Sequence, residues 1–184
     1  AYGPRNLGLS GAVLDARVAE TLEEFGLIAL RNQHPALLGR GLRRRVALAS
    51  VWAMRPRLLV LDEPTGGLDR RLTRELMDLL EGFVAAGAGV LLITHDVRLV
   101  AEHATRLVVL HRGTVIADGP TAAVLGDQPV LNRAGIVAPE VVRLARALGL
   151  PVTLTVEAFC EAFAARLVTG RAMPGGGEPG ERRI

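Results

Sequence analysis

The fold of this chain is narrowed first by two short, wholly apolar runs that lie a helix length apart. Residues 58–61 and 90–93 contain no polar side chain, which is typical of strands buried on both faces of a parallel sheet. Between them, residues 71–86 have the length and apolar spacing of a helix that Gly87 ends. A strand, a helix and a second strand in this order form a crossover unit with parallel strands. The sequence therefore predicts an α/β fold with a parallel sheet at its core.

Helices and one hairpin are predicted on either side of this unit. Ser10 and Thr121 are candidate helix caps, and Asp96 is a third, before a helix that starts at Val97. Residues 1–10 are rich in Gly, Pro and Asn and are predicted to be a loop, and residues 31–38 are predicted to be a second loop. The remaining elements are predicted as helices over 10–25, 39–54, 97–103, 121–125, 139–148 and 156–167, and a hairpin of 107–110 with 114–116. Residues 170–184 are rich in Gly and Pro and are predicted to be a disordered tail.

Composition limits the function classes. The chain has 184 residues, is 49% hydrophobic, and has no apolar run of the roughly 18 residues that a membrane helix needs. Its N-terminus has no basic-then-apolar signal pattern, and one cysteine, Cys160, is consistent with a reducing compartment. The net charge is +3 and every basic residue is Arg, interleaved with acids. The dense run Arg43-Arg44-Arg45 lies on a predicted helix and is interpreted as a solvated face, with a nucleic-acid stripe as the weaker alternative.

Two adjacent carboxylates mark a candidate site. Asp62 and Glu63 directly follow the first apolar run, so they lie at the carboxyl end of a strand, where parallel sheets bind ligands. Paired carboxylates in that position are costly unless a cation or a reaction uses them. Pro64 is expected to hold Glu63 in an extended backbone conformation and so to fix the direction of its carboxylate. The alternative is a strand end with two solvated acids.

A second polar group closes the next strand. Residues 94–96 are Thr-His-Asp, so His95 is expected at the same sheet edge as Asp62 and Glu63. A role as a neighbour of a helix cap is the alternative for His95.

Upstream, residues 38–42 are Leu-Gly-Arg-Gly-Leu and open a helix. A glycine-rich helix N-terminus can offer backbone N–H groups to phosphate, and a helix start without a ligand is the alternative.

In this order, these segments resemble an ABC transporter ATP-binding subunit of the energy-coupling-factor family, which drives cobalt- and biotin-type importers. Residues 58–64 resemble Walker B, residues 65–69 the D-loop, His95 the switch histidine, and residues 38–42 a degraded signature. The flanks at 2–9, 46–50, 53–56, 110–113, 117–120 and 139–145 also resemble that family. The resemblance implies an ABC-type P-loop NTPase fold, ATP and Mg²⁺ as cofactors, and nucleotide contacts from Leu38, Gly39, Gly41 and Asp69. It assigns Asp62 to the metal, Glu63 to the attacking water and His95 to the γ-phosphate.

This sequence differs from the family pattern in ways that limit the function expected of it. The 184 residues contain no Lys and therefore no Gly-x-x-x-x-Gly-Lys phosphate loop. We expect a truncated chain that begins midway through the domain, is inactive alone, does not bind ATP tightly and leaves apolar sheet exposed. The expected division is a partial ATPase domain over 1–128, a helical C-terminal extension over 129–169 and the tail.

Three functions compete at this point. The first is an ATPase subunit of a metal-ion or vitamin importer, paired with a second ATPase subunit and membrane-embedded subunits at the cytoplasmic face of the membrane. The second is a degenerate, non-catalytic partner of an intact ATPase. The third, an ABC-related protein acting on nucleic acid, is the weakest because the transporter-like flanks have no role there. We therefore expect no nucleic-acid partner.

Overall fold

The computed structural model describes residues 1–168 and divides into two compact units, Ala1–Thr94 and a second that begins at His95. The predicted tail at 170–184 lies outside the described residues. No helix within residues 1–168 is long and apolar enough to cross a membrane. The predicted boundary between residues 128 and 129 stays a prediction.

The first unit contains four helices and two strands. They are α1 (Tyr2–Asn6), α2 (Gly11–Glu24), α3 (Arg40–Trp52), β1 (Leu58–Asp62), α4 (Arg70–Ala85) and β2 (Gly89–Ile93), with short 3₁₀ turns at Ile28–Leu30 and Pro35–Leu37. Ser10 occupies the N-cap of α2 but its side chain makes no capping hydrogen bond. Gly26, with φ of 62°, follows the end of that helix as predicted.

The two strands pair in parallel, as the apolar runs predict. Val60 lies opposite Leu91, and Asp62 at the end of β1 lies opposite Ile93 at the end of β2. Burial alternates along β1, because Leu59 is 3% exposed while Leu58 and Val60 are 58% and 53% exposed. The prediction of a strand buried on both faces is therefore wrong. One face is packed and the other leaves apolar side chains exposed, as the expectation of exposed apolar sheet requires.

Aromatic rings join the helices of the first unit. The rings of Trp52 on α3 and Phe83 on α4 stack with centroids 3.5 Å apart, and Phe25 lies 5.7 Å from Phe83. All three side chains are buried. The Trp52 indole N–H also donates to Glu24 Oε2 at 2.8 Å, which ties the end of α2 to the end of α3. This cluster fixes α3 and α4, the two helices that flank β1 in sequence.

The second unit contains a hairpin and helices within the described residues. They are α5 (Val97–His103), β3 (Arg106–His111), β4 (Thr114–Pro120), α6 (Thr121–Gly126), α7 (Gln128–Ala134), α8 (Glu140–Ala147) and α9 (Val156–Val168). The antiparallel β3–β4 pair is the predicted hairpin. The core of the second unit contains Ala101, Leu125, Leu131, Ala138 and Val142, so residues before and after position 128 share one hydrophobic cluster.

Three further local predictions fail. Residues 1–10 were expected to form a loop but contain α1, whose Pro4 is buried. Helix α7 is absent from the predicted elements although Asp127 caps it by accepting from Val130 N at 3.1 Å. Thr121 does not cap α6, because its hydroxyl donates instead to the carbonyl of Ala104 at 2.6 Å. In each case the local composition is compatible with several structures and packing selects one.

Candidate functional site at the end of β1

The carboxyl ends of β1 and β2 meet through Glu63. Its backbone N–H donates to the Ile93 carbonyl at 2.8 Å, which extends the parallel pairing by one residue beyond Asp62. The Thr94 hydroxyl, directly after β2, donates to Glu63 Oε2 at 3.4 Å. Asp62 is exposed beside them. The sheet edge therefore presents two carboxylates and a hydroxyl, as expected for the carboxyl end of parallel strands.

The backbone of Glu63 differs from the expectation. Its φ is 43°, in the left-handed region that few residues other than Gly adopt, so the predicted extended conformation is wrong. The Glu63 carbonyl accepts from Gly66 N at 3.2 Å and closes a turn over Pro64, whose side chain is fully buried. The preference that Pro64 imposes on its neighbour is overridden by this hydrogen-bonded turn.

The segment after Glu63 leads directly into α4. Gly67 has φ of 74°, and the Leu68 N–H donates to the Thr65 carbonyl at 3.0 Å. Asp69 then caps α4, with its Oδ1 accepting from Leu72 N at 2.8 Å. Asp69 thus has a structural role in this chain, and its predicted contact with nucleotide stays a prediction.

The glycine-rich segment opens α3. Leu38 is 7% exposed, Gly39 is the N-cap residue and Arg40 is the first residue of the helix. A Cβ on Gly41 would lie 2.7 Å from Leu72 Cδ1, so a larger residue at this position would require the Leu72 side chain on α4 to shift. Nucleotide contact by Leu38, Gly39 and Gly41 stays a prediction.

Arginines of α3 reach the loop after β1, which sequence reasoning missed. The Arg44 guanidinium donates to the Glu63 carbonyl, and the Arg45 guanidinium pairs with Glu75 on α4. Arg45 also donates to the Phe25 carbonyl at 3.4 Å. The interpretation of the 43–45 run as a solvated face is therefore wrong for two of its members and right for Arg43, which is exposed. The i, i+4 spacing of Arg40 and Arg44 was the available signal, because it places both on one helix face.

His95 and Asp96 open the second unit. Asp96 caps α5 as predicted, with its Oδ1 accepting from Arg98 N and Leu99 N, each at 3.1 Å. His95 is exposed and follows Thr94 directly. The placement of His95 relative to Asp62 and Glu63 stays a prediction.

The side chains at the end of β1 can supply only some of the ligands that a divalent cation needs. No group of three or more His, Cys, Asp or Glu side chains within residues 1–168 could hold a metal ion alone. Mg²⁺ in phosphate sites takes one or two carboxylates and completes its octahedron with phosphate oxygens and waters. The single exposed carboxylate of Asp62 matches that partial contribution.

Comparisons with known proteins agree with this arrangement. Residues 5–66 match the ABC transporter family model. The chain is 46% identical over 144 residues to the cobalt import ATP-binding protein CbiO of Rhodobacter capsulatus, covering 78% of this chain and 51% of that protein. It is 44% identical over 146 residues to the energy-coupling factor transporter ATP-binding protein EcfA2 of Symbiobacterium thermophilum, covering 79% and 51%.

A solved structure shows the same fold. The chain superposes on cbiO1 of Clostridium perfringens, described as part of the ABC transporter complex cbiONQ, with a TM-score of 0.63 and 31% identity. That match covers 79% of this chain and 58% of the solved one. The parallel strand pair with carboxylates at its end is thus part of an ABC ATPase domain, and the chain belongs to the ABC transporter ATP-binding proteins. Within that class, its relatives include ATPases of cobalt and energy-coupling-factor importers. The chain spans about half the length of these curated relatives.

Proposed function

We propose that this chain is part of the ATP-hydrolysing subunit of an energy-coupling-factor-type importer of a metal ion or vitamin. The observation that carries the proposal is the position of Glu63, whose carboxylate lies at the end of β1 within 3.4 Å of the hydroxyl at the end of β2. A carboxylate held at that sheet edge can accept a proton from, and orient, a water molecule.

The other residues of the site take supporting roles in this proposal. Asp62 would hold Mg²⁺, usually through water, and His95 would contact the γ-phosphate. Mg²⁺ supplies, when bound, neutralisation of the charge on the phosphate oxygens. Asp69 would approach nucleotide in addition to capping α4. The protein would pair with a second ATPase subunit and with membrane-embedded subunits, at the cytoplasmic face of the membrane.

The test uses a hybrid ATPase that joins the amino-terminal half of the Rhodobacter capsulatus relative to these 184 residues. In that hybrid ATPase, Glu63→Gln keeps the shape of the side chain but removes the base. We expect hydrolysis to fall about 10²–10⁴-fold while Mg·ATP binding is kept. Glu23→Gln, at an exposed position on α2, is the matched control. Unchanged turnover in Glu63→Gln would contradict the proposal.

A non-catalytic partner subunit is the second candidate, and the N-terminus of α3 favours it. Gly39 carries no hydroxyl, and Arg40 places a guanidinium against Gly67, since a Cβ there would lie 2.8 Å from Arg40 Nη1. A helix N-terminus that binds phosphate offers backbone N–H groups on a glycine-rich surface, and this one lacks the hydroxyl and carries a bulky side chain instead. Under this alternative, the hybrid ATPase binds Mg·ATP without turning it over, and Gly39→Ser with Arg40→Gly raises its turnover.

A further inference from the structure

Two arginines one turn apart on α3 contact opposite ends of the loop after β1. Arg44 donates from Nη2 to the carbonyl oxygen of Glu63, at the start of the loop. Arg40 lies against Gly67, near its end, with its Nη1 only 2.8 Å from where a Cβ would stand. The i, i+4 spacing puts both guanidinium groups on the same face of the helix. The first two turns of α3 therefore hold the loop that carries Glu63.

The Glu63 backbone needs such support. A non-glycine residue with φ of 43° is strained, and strained residues persist only where surrounding contacts over-determine them. Hydrogen bonds hold the backbone of this residue on both its N–H and its carbonyl side. Its N–H donates to Ile93 at 2.8 Å, and its carbonyl accepts from Gly66 N at 3.2 Å and from Arg44. The hydrogen bond from Arg44 comes from a charged donor on another element, and charge-assisted hydrogen bonds are the stronger ones.

The direction of the Glu63 carboxylate follows from this backbone. A left-handed φ sends the side chain along a different direction from the extended conformation, and here Oε2 lies 3.4 Å from the Thr94 hydroxyl. A shift of the peptide at Glu63 would move the carboxylate away from the end of β2. The placement of a catalytic group depends on such supporting contacts to within fractions of an ångström.

We propose that Arg44 is a positioning residue for Glu63: its guanidinium holds the Glu63 carbonyl, keeps the left-handed backbone and so places the carboxylate beside Thr94. The proposal rests on the proposed function of Glu63. Arg44 touches neither substrate nor metal in this account and acts only through the backbone of Glu63. The competing explanation is that Arg44 merely packs α3 against α4, since it also lies beside Leu68 and Leu72.

The first experiment is solution NMR of the 184-residue chain, because a positive φ gives a strong intraresidue NOE between the amide proton and Hα. Arg44→Met keeps the apolar stem and removes the donor, and Arg44→Lys restores a cationic donor. Arg43→Met, at the exposed neighbouring position, is the matched control. We expect the Glu63 NOE in the wild type and the control, its loss in Arg44→Met, and its partial return in Arg44→Lys.

A packing role alone would not produce that pattern. Retention of the Glu63 NOE in a folded Arg44→Met chain would overturn the proposal, because the backbone would then hold its conformation without the donor. If Arg44→Met does not fold, Arg44→Gln decides, because its shorter side chain does not extend as far toward the Glu63 carbonyl as the guanidinium does. Loss of the NOE in a folded Arg44→Gln chain supports the proposal, and retention of the NOE overturns it.

The second experiment separates this proposal from the function of Glu63. In the hybrid ATPase, Arg44→Met should lower kcat at least 10-fold with little change in the KM for Mg·ATP, and Arg43→Met should not. If Glu63→Gln leaves turnover intact, the proposed function fails, whatever the NMR shows for Arg44. If Glu63→Gln abolishes turnover while Arg44→Met preserves it, the positioning role fails and the proposed function stands.

Discussion

Gly67 and Gly82 both lie in the first unit, but their backbone conformations predict opposite effects of a substitution by alanine on stability. Gly67 has φ of 74° and faces Arg40 Nη1, whereas Gly82 lies within α4 with nothing within 4 Å of an added Cβ. We expect Gly67→Ala to destabilise the chain by about 1–2 kcal/mol, from backbone strain and contact with Arg40. Gly82→Ala should instead stabilise it by about 0.5–1 kcal/mol through helix propensity.

Urea denaturation of the two variants under identical conditions measures both effects. Because each substitution adds the same methyl group, the comparison cancels the effect of added apolar surface to a first approximation. A Gly67→Ala variant as stable as wild type would show that the loop after β1 can adopt another backbone conformation at no cost.

Glu24, at the junction of α2 and α3, makes a contribution to the stability of the fold that depends on pH. Hydrogen bonds from the Arg55 guanidinium, the closer at 2.7 Å, lower the pKa of Glu24 below its ordinary value, and the Trp52 indole N–H adds to this effect against partial burial. A carboxyl whose folded-state pKa is lowered stabilises the fold at pH values above its unfolded-state pKa. That contribution is lost as the pH falls through the folded-state pKa.

We therefore expect Glu24→Gln to be less stable than wild type at pH 7, with the difference shrinking as the pH falls below about 4.3, the ordinary pKa of a glutamic acid. The measurement is the urea midpoint as a function of pH. Glu23→Gln, at the exposed neighbouring position, should show no comparable change in slope. A constant difference between Glu24→Gln and wild type from pH 7 to pH 3 would mean that the ion pair does not act through charge.

Helix α4 depends on its cap. Asp69 Oδ1 accepts from Leu72 N at 2.8 Å, and loss of such a cap costs about 1 kcal/mol. We expect Asp69→Ala to destabilise the chain by that amount and Asp69→Asn, whose amide oxygen also caps, to stay near wild type. Thermal or urea unfolding of the two variants separates the cap from any effect on nucleotide, since neither measurement includes ATP. Equal stability of both variants would contradict the capping role.

The elements that the sequence predicts best are those with both a periodic apolar pattern and a boundary residue. Helix α5 begins after the capping residue Asp96, and helix α4 ends before Gly87, whose φ is 90°. Helix α1 could not be predicted in this way, because Gly3 and Pro4 indicate a loop. Helix α1 packs against the region of α3, and the sulfur of Met54, two residues after the end of α3, lies 2.7 Å from a Cβ added to Gly3.

In the candidate site, too, some features could be predicted from the sequence and others could not. The positions of Asp62 and Glu63 follow from the rule that parallel strands present their carboxyl ends at one edge, and Thr94 meets Glu63 there. The left-handed backbone of Glu63 and its hydrogen bond from Arg44 depend on contacts between residues 19 positions apart. A local pattern contains no information about such a contact, so neither feature could be predicted.

At the scale of the whole molecule, the open face of the parallel strand pair presents apolar side chains to solvent. Leu58, Val60, Leu91 and Ile93 are each about half exposed, and Val60 and Leu91 are direct neighbours across the pair. Exposed apolar sheet favours association with other chains. We expect the 184-residue chain to self-associate in a concentration-dependent way, and Val60→Thr with Leu91→Thr to weaken that association.

Sedimentation velocity over a range of concentrations measures this effect. The matched control is Val84→Thr, which removes an equally exposed apolar side chain from α4, outside the sheet. Threonine suits strands well, so the sheet variants should keep their fold. If the control weakens association as much as the sheet variants do, the contact surface lies elsewhere.

The contact between Gly41 and Leu72 bears on how such a chain can change over generations. A Cβ at position 41 would lie 2.7 Å from Leu72 Cδ1, so a larger residue there must be accompanied by a shift of the Leu72 side chain or by a smaller residue at position 72. Selection for a packed α3–α4 interface would thus favour Gly41 even in descendants that meet no nucleotide. Retention of this glycine across a lineage would be a record of helix packing, whereas substitutions at Gly39, which has nothing within 4 Å, would report the loss of catalytic selection.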